Sequence, residues 1–260
     1  EGYTLTPEDQ AAVVRIAKDE VGEKCAIIAA VFALSVRDAV EQATRLRDAG
    51  ADAVLVAPVA PFVYTGKILE RFYGAIGDAV DLPLIAYLNK MFKKELPSDE
   101  ILKAVYAIPS VIAIKDSTGD MEFQRRLIAA RLEGKLMIQT VTGIALEGVK
   151  EGADGLMVGT SNIVPDSVLE VWVHGRGGDL KIAEAAQERM RRASKLYAVG
   201  GGPNTTTKDW VAVKQALVHM GVIESNSCFA APPYDILSDA DSEILREGVL
   251  ALSNKEKVTP

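Results

Sequence analysis

Two stretches far apart in the chain are built alike. Gly50-Ala51-Asp52-Ala53-Val54-Leu55-Val56-Ala57 and Gly152-Ala153-Asp154-Gly155-Leu156-Met157-Val158-Gly159 each follow a helical pattern, stop it at glycine and lead through Ala-Asp into an apolar run. Glycine suits a helix end because it takes the left-handed backbone conformation at little steric cost. A short apolar run bounded in this way reads as a buried strand. A recurring helix-to-strand junction argues for repeated strand–helix units, and parallel strands need such crossovers.

The remaining pattern agrees. Thr6, with Pro7 and Asp9, opens a helix over 7–21. An apolar run from Cys25 to Phe32 follows as a strand. Ser35 caps a helix whose stripe is Val36, Ala39, Val40, Ala43 and Leu46, ending at Gly50. Further strands are predicted over Ala51–Pro58, Leu82–Leu88, Val111–Lys115, Lys135–Val141 and Gly152–Gly159. Helices are predicted over 67–79, from Ser98, from about Met121 and over Ala145–Lys150. The strands are almost wholly apolar, which implies that both sheet faces are covered. That leaves a parallel barrel or an open doubly wound sheet. After Pro165 only helical patterns remain: one from Asp166, one over Leu180–Tyr197, one containing Trp210 and Leu217, and one around Ser242 to Leu252.

Composition narrows the function. A 260-residue chain with 48% hydrophobic residues suits one large domain, or one with a small appendage. A net charge of -7 and the lack of a basic tract disfavour nucleic acid as a partner. Cys25 and Cys228 lie far apart and outside any metal or redox pair motif, so a reducing, cytoplasmic setting is expected. No apolar run is long enough to span a bilayer. His174 and His219 stand apart from each other and from carboxylate clusters, so no metal site is expected. Gly200-Gly201-Gly202 follows a helix and lacks the spacing of a phosphate loop, so no nucleotide cofactor is expected either.

The chemistry centres on Val111-Ile112-Ala113-Ile114-Lys115-Asp116-Ser117-Thr118-Gly119-Asp120. A core strand here ends on a lysine, and an unpaired buried ammonium is costly. Two readings fit. In one, the lysine is desolvated, its pKa is lowered, and its neutral amine attacks a ketone to form a Schiff base. In the other, it snorkels to solvent from the strand end. Tyr87 ends the strand Pro83-Leu84-Ile85-Ala86-Tyr87. In a barrel, strand C-termini form the active face, so Tyr87 and Lys115 would share one mouth and the phenol could relay protons. The other reading of Tyr87 is a packed ring whose hydroxyl bonds to backbone. Asp116 should point away from the lysine's side.

These residues bring out a resemblance. The chain resembles the dihydrodipicolinate synthase and N-acetylneuraminate lyase family of class I aldolases. Val111 to Gly119 looks like the family's Schiff-base segment, which places the imine on Lys115. Ile85-Ala86-Tyr87-Leu88-Asn89 looks like its catalytic tyrosine strand. Gly155-Leu156-Met157-Val158-Gly159-Thr160-Ser161-Asn162 is similar to the eighth-strand segment lining the pocket. The resemblance implies an α/β fold, a TIM (β/α)8 barrel with a C-terminal helical extension. Residues 1–165 would hold strands three to eight, and 166–260 the last barrel helix and the extension. Glu1-Gly2-Tyr3-Thr4-Leu5-Thr6 looks like the stretch after the family's Thr-Thr-Gly motif, so the first two strands are expected in an omitted segment of roughly 45 residues.

It also implies an imine-forming lyase or aldolase that takes pyruvate or another small 2-keto acid together with an unidentified aldehyde, and a homodimer or homotetramer. Lys115 and Tyr87 would be catalytic, and Met157, Gly159 and Thr160 would contact substrate. Thr140 and Thr142 end another strand; a reach into the same space and a core or backbone role both fit. Two departures bear on specificity. Tyr-Asn-x-Pro of the family is here Tyr87-Leu88-Asn89-Lys90, and Phe92 and Lys93 stand where the synthase has a substrate-reading arginine. Val59 and Ala60 replace its paired tyrosines. Alternatives are the true synthase acting on pyruvate and aspartate semialdehyde, a dehydratase of a keto-deoxy sugar acid, and a non-catalytic metabolite-binding barrel.

Overall fold

Side-chain caps mark where the first four strands hand over to their helices. In a computed structural model, which describes residues 2–58, 65–87, 96–200, 209–224 and 237–253, Thr6 and Asp9 form the expected capping box at the start of α1 (Pro7–Val21). The hydroxyls of Ser35, Thr65 and Ser98 each accept a backbone N–H three residues on. They start α2 (Val36–Asp48), α3 (Gly66–Val80) and α4 (Asp99–Tyr106). The Asp120 carboxylate accepts from Glu122 and Phe123 and opens α5 (Met121–Ala130).

Between these helices lie β1 (Ile28–Ala33), β2 (Ala53–Pro58), β3 (Leu84–Tyr87), β4 (Val111–Asp116), β5 (Leu136–Gln139) and β6 (Gly155–Leu156). They form one sheet in the order β1-β2-β3-β4-β5-β6, every pair parallel. One face carries Val31, Val54, Val56, Leu84, Ala86, Ile114 and Met137, packed with Leu69, Tyr73, Ile76, Leu102, Tyr106, Phe123 and Leu127 from the helices. The other carries Leu55, Ala57, Ile85, Tyr87 and Ala113. Both faces are therefore apolar, as parallel strands require.

The Gly-Ala-Asp echo has a structural cause. Asp52 N–H donates to the Ile27 carbonyl at 2.9 Å, and the Ile27 N–H returns a 2.8 Å bond to the Asp52 carboxylate. Asp154 N–H donates to the Met137 carbonyl, and the Met137 N–H returns to the Asp154 carboxylate, both at 2.8 Å. Each carboxylate also meets a cation near the end of the helix that leads into the neighbouring strand, Lys18 of α1 at 3.0 Å for Asp52 and Arg131, just past α5, for Asp154. One carboxylate thus pins the foot of the neighbouring strand, and the device recurs because the strand–helix unit does. The backbone bond from Ile27 and the Lys18 ammonium hold the Asp52 carboxyl below the usual range.

The structure revises several boundaries. β1 starts at Ile28 rather than Cys25, because Gly22–Lys24 turns first and Ile27 is taken by Asp52. β6 stops at Leu156, and Gly159–Asn162 is a tight helical turn rather than strand. Apolar character alone does not separate strand from turn once the ladder ends. The last helix begins at Asp239, since Ser238 accepts the Asp241 N–H and supplies an earlier cap than Ser242.

The described residues divide into two compact units. One is Gly2–Val141 with Glu151–Leu156 and holds the whole sheet. The other is Thr142–Lys150 with the described residues from Met157 onward. The second contains α6 (Ala145–Lys150), α7 (Pro165–Gly175), α8 (Leu180–Leu196), α9 (Asp209–His219) and α10 (Asp239–Ser253). Its core gathers Ile163, Ala193, Leu196, Ala212, Ala216, Leu245 and Val249. Gly175 lets α7 come close to α6: a Cβ there would lie 2.9 Å from a Leu146 methyl and 3.1 Å from Val149. Among the described residues no helix is long and apolar enough to cross a membrane.

Candidate active site

A register shift builds the site. Leu84 faces Val111, but Ile85 faces Ala113, so Ile112 is an extra residue in β4. From there the pairing runs on to place Lys115 beside Tyr87 at the C-terminal ends of adjacent strands. Without the extra residue, Tyr87 would face Ile114 instead, whose side chain belongs to the helix-covered face.

The Lys115 Nζ sits over the Tyr87 ring, 3.7 Å from its centroid. Tyr87 is buried, and Lys115 is half-buried against the apolar face formed by Leu55, Ala57, Ile85 and Ala113. Burial pushes the lysine pKa down; the Tyr87 phenol pulls it up and loses. The outcome is an amine that sheds its proton more readily than an ordinary lysine while a ring face still orients it. The Lys115 side chain is thus partly desolvated rather than fully extended into solvent.

Asp116 lies on the opposite side of the strand, buried, and accepts the Thr118 N–H at 2.8 Å. It shapes the following turn, where Gly119 has φ 73° and Asp120 N–H donates to the Thr118 hydroxyl. Thr140 donates both its N–H (3.0 Å) and its hydroxyl (2.8 Å) to the Asp116 carbonyl, and its hydroxyl also bonds to that of Ser117. Thr140 is thereby tied to the residue after the lysine. No sequence spacing rule links Ser117 to Thr140, two residues 23 positions apart.

Met157 follows β6 directly, and Gly159 and Thr160 occupy the turn Gly159–Asn162. The buried Thr160 hydroxyl bonds to that of Thr142 at 3.2 Å. The Gly159 carbonyl accepts from Asn162 Nδ2 at 2.8 Å and from the Tyr197 hydroxyl. The structure thus brings Lys115, Tyr87 and, through Asp116, Thr140 together in the sheet unit. Thr142, Gly159 and Thr160 form a cluster of their own in the helical unit. Leu88 to Lys94, Val59 and Ala60 lie outside the described residues, and so does Cys228. Among the described residues no group of three or more His, Cys, Asp or Glu is placed to hold a metal ion. A groove of about 630 Å³ runs along β1 between α1 and α2, lined by Val13, Ile28, Phe32 and Arg45, and neither Lys115 nor Tyr87 lines it.

A sequence model of the Dihydrodipicolinate synthetase family matches residues 1–249. A 4-hydroxy-tetrahydrodipicolinate synthase from Psychrobacter sp. is 30% identical over 226 residues, 86% of this chain and 72% of that protein. The solved dihydrodipicolinate synthase of Bacteroides thetaiotaomicron superposes with a TM-score of 0.86 at 21% identity, over 95% of this chain and 82% of that one. A member of the family from E. coli K12, solved in complex with pyruvate, gives a TM-score of 0.84 at 20% identity, over 96% and 83%. The strand–helix order observed here is accordingly that of the family's (β/α) barrel. The chain belongs to the dihydrodipicolinate synthetase family and is an enzyme of its Schiff-base lyase and aldolase class.

Proposed function

We propose that Lys115 forms the Schiff base, and that its partner is the keto carbon of pyruvate or another small 2-keto acid. The observation that carries this is the desolvated Lys115 amine held 3.7 Å over the Tyr87 ring at two adjacent strand ends. The neutral amine adds to the keto carbon, and the carbinolamine loses water to give an imine. Tyr87 moves protons for these steps. Loss of a methyl proton from the imine yields an enamine, whose carbon attacks an aldehyde. Hydrolysis of the product imine returns the free amine. Thr140, Met157, Gly159 and Thr160 are the proposed substrate-binding residues. The pyruvate complex of the E. coli relative supports the first substrate. The likeness to the Psychrobacter 4-hydroxy-tetrahydrodipicolinate synthase supports a second reading, the true synthase, in which the aldehyde is aspartate semialdehyde. Val59 and Ala60, in place of phenols, favour a different aldehyde. A homodimer or homotetramer, a cytoplasmic setting and a helical extension from residue 166 complete the proposal.

Exchange of the pyruvate methyl protons with deuterated water tests this without an aldehyde, because only the enamine makes that carbon exchange rapidly. The protein should catalyse it. Tyr87→Phe keeps the ring but removes the proton relay, and exchange should slow by about 100-fold. Wild-type protein that catalyses no exchange would refute the reading. The pH profile follows from the lowered lysine pKa. Protonation blocks attack, so the rate should climb with pH through a midpoint below the ordinary lysine range. A midpoint at or above that range would contradict a desolvated nucleophile.

A further inference from the structure

α8 reaches both strand-end loops of the helical unit. Gln187, 1% exposed, uses both ends of its amide: Oε1 accepts the Leu146 N–H at 2.8 Å and Nε2 donates to the Thr142 carbonyl at 2.7 Å. One turn on, Arg191 Nε donates to the Gly143 carbonyl at 3.1 Å and its Nη2 meets Glu147 at 3.2 Å. Thr142, held at its carbonyl, extends its hydroxyl to Thr160. Adjacent to Thr160, the Gly159 carbonyl accepts the Tyr197 hydroxyl, which lies just past the end of α8. A Cβ on Gly159 would come 3.3 Å from the Tyr197 ring, so the glycine is what lets the phenol approach. Burial pushes the Tyr197 phenol up to about 12, so it remains a hydrogen-bond donor at neutral pH.

These bonds close a circuit: α8, Thr142, Thr160, Gly159 and back to α8. A helix interior that spends a buried glutamine on two loop backbone groups is doing more than packing, because an apolar residue would fill the same space. We propose that Gln187 and Tyr197 are positioning residues. They fix the Thr142–Thr160 hydroxyl pair and the Gly159 carbonyl, and through them set the affinity for the 2-keto acid. This rests on the functional reading above, in which Gly159 and Thr160 contact that substrate.

The test is the pyruvate exchange reaction measured against pyruvate concentration, with thermal unfolding measured alongside. Tyr197→Phe removes one donor from a half-buried ring and should fold normally. Gln187→Met matches volume and removes both amide bonds. Each should raise the half-saturating pyruvate concentration about three- to tenfold, the scale of one lost hydrogen bond, while the saturated rate changes less than twofold. In a Thr160→Val background, Gln187→Met should add little further, because it acts through that hydroxyl pair. A purely structural role predicts a lower Tm with unchanged half-saturation in both variants, and that result would overturn the proposal. So would full additivity with Thr160→Val. Should Gln187→Met fail to fold, Tyr197→Phe decides alone. Wild-type protein inactive in exchange would instead sink the Schiff-base reading itself, an outcome distinct from active wild type with variants that match it.

Discussion

Lys115→Ala is expected to lower pyruvate proton exchange to the rate in buffer, a loss on the order of 10⁴-fold or more, the scale seen when a covalent nucleophile is removed. The other half of the described pair cannot take its place. Tyr87 remains as a proton carrier, but a phenol cannot form an imine. The fold should survive. Lys115 lies at a strand end, makes no ion pair among the described residues, and is desolvated at a cost. Removing that ammonium relieves a penalty, while the lost contact with the Tyr87 ring is worth about 0.5–2 kcal/mol. Tm should therefore shift by only a few degrees, about 2–4 °C per kcal/mol for a chain of this size. Circular dichroism melting beside the exchange assay separates chemistry from folding. Retained exchange in a folded Lys115→Ala protein would move the reaction to another group.

The second large effect concerns stability. Asp154→Ala is expected to cost about 1–4 kcal/mol. The Met137 N–H, in a residue with no solvent exposure, loses its carboxylate acceptor, and an orphaned buried donor costs about 1–3 kcal/mol. Arg131 loses a partner in a pair that is only partly exposed, worth about another 1 kcal/mol at most. Asp154→Asn keeps an oxygen for the Met137 N–H and should recover more than half of the loss. Urea unfolding of the two variants gives the comparison directly. Equal destabilisation by alanine and asparagine would show that the ion pair, not the strand pin, carries the effect. Asp52→Ala removes the same kind of strand pin from Ile27 and Lys18, but Ile27 is only partly buried, so its effect should be smaller than that of Asp154→Ala.

What could be read from the residues follows from how local each determinant is. Caps at Thr6, Ser35 and Ser98 involve neighbours three residues apart, so their side-chain types were sufficient. The Ala-Asp repetition announced the strand–helix units, although its cause, a carboxylate bonded to the preceding strand, is visible only once the strands pair. Lys115 and Tyr87 stood out because polar groups ending apolar strands need a reason. Their direct opposition depends on the extra residue at Ile112, and no periodicity in β4 reveals it. Met157 and Val158 are apolar enough to extend the predicted strand to Gly159, whereas pairing with β5 ends at Leu156. Gln187 and Tyr197 were unreadable for a plainer reason. Each sits in an ordinary helical pattern, and the loops they hold are distant in the chain: Thr142 for Gln187 and Gly159 for Tyr197.

The central claim is that Lys115 carries the imine. Incubation with pyruvate and borohydride reduces any imine to a stable amine, and peptide mass mapping then locates it. The predicted result is a single pyruvate-dependent adduct on the peptide containing Lys115, absent when pyruvate or borohydride is omitted and absent from Lys115→Ala. No pyruvate-dependent adduct, or label scattered over exposed lysines with Lys115 unmodified, would contradict the account.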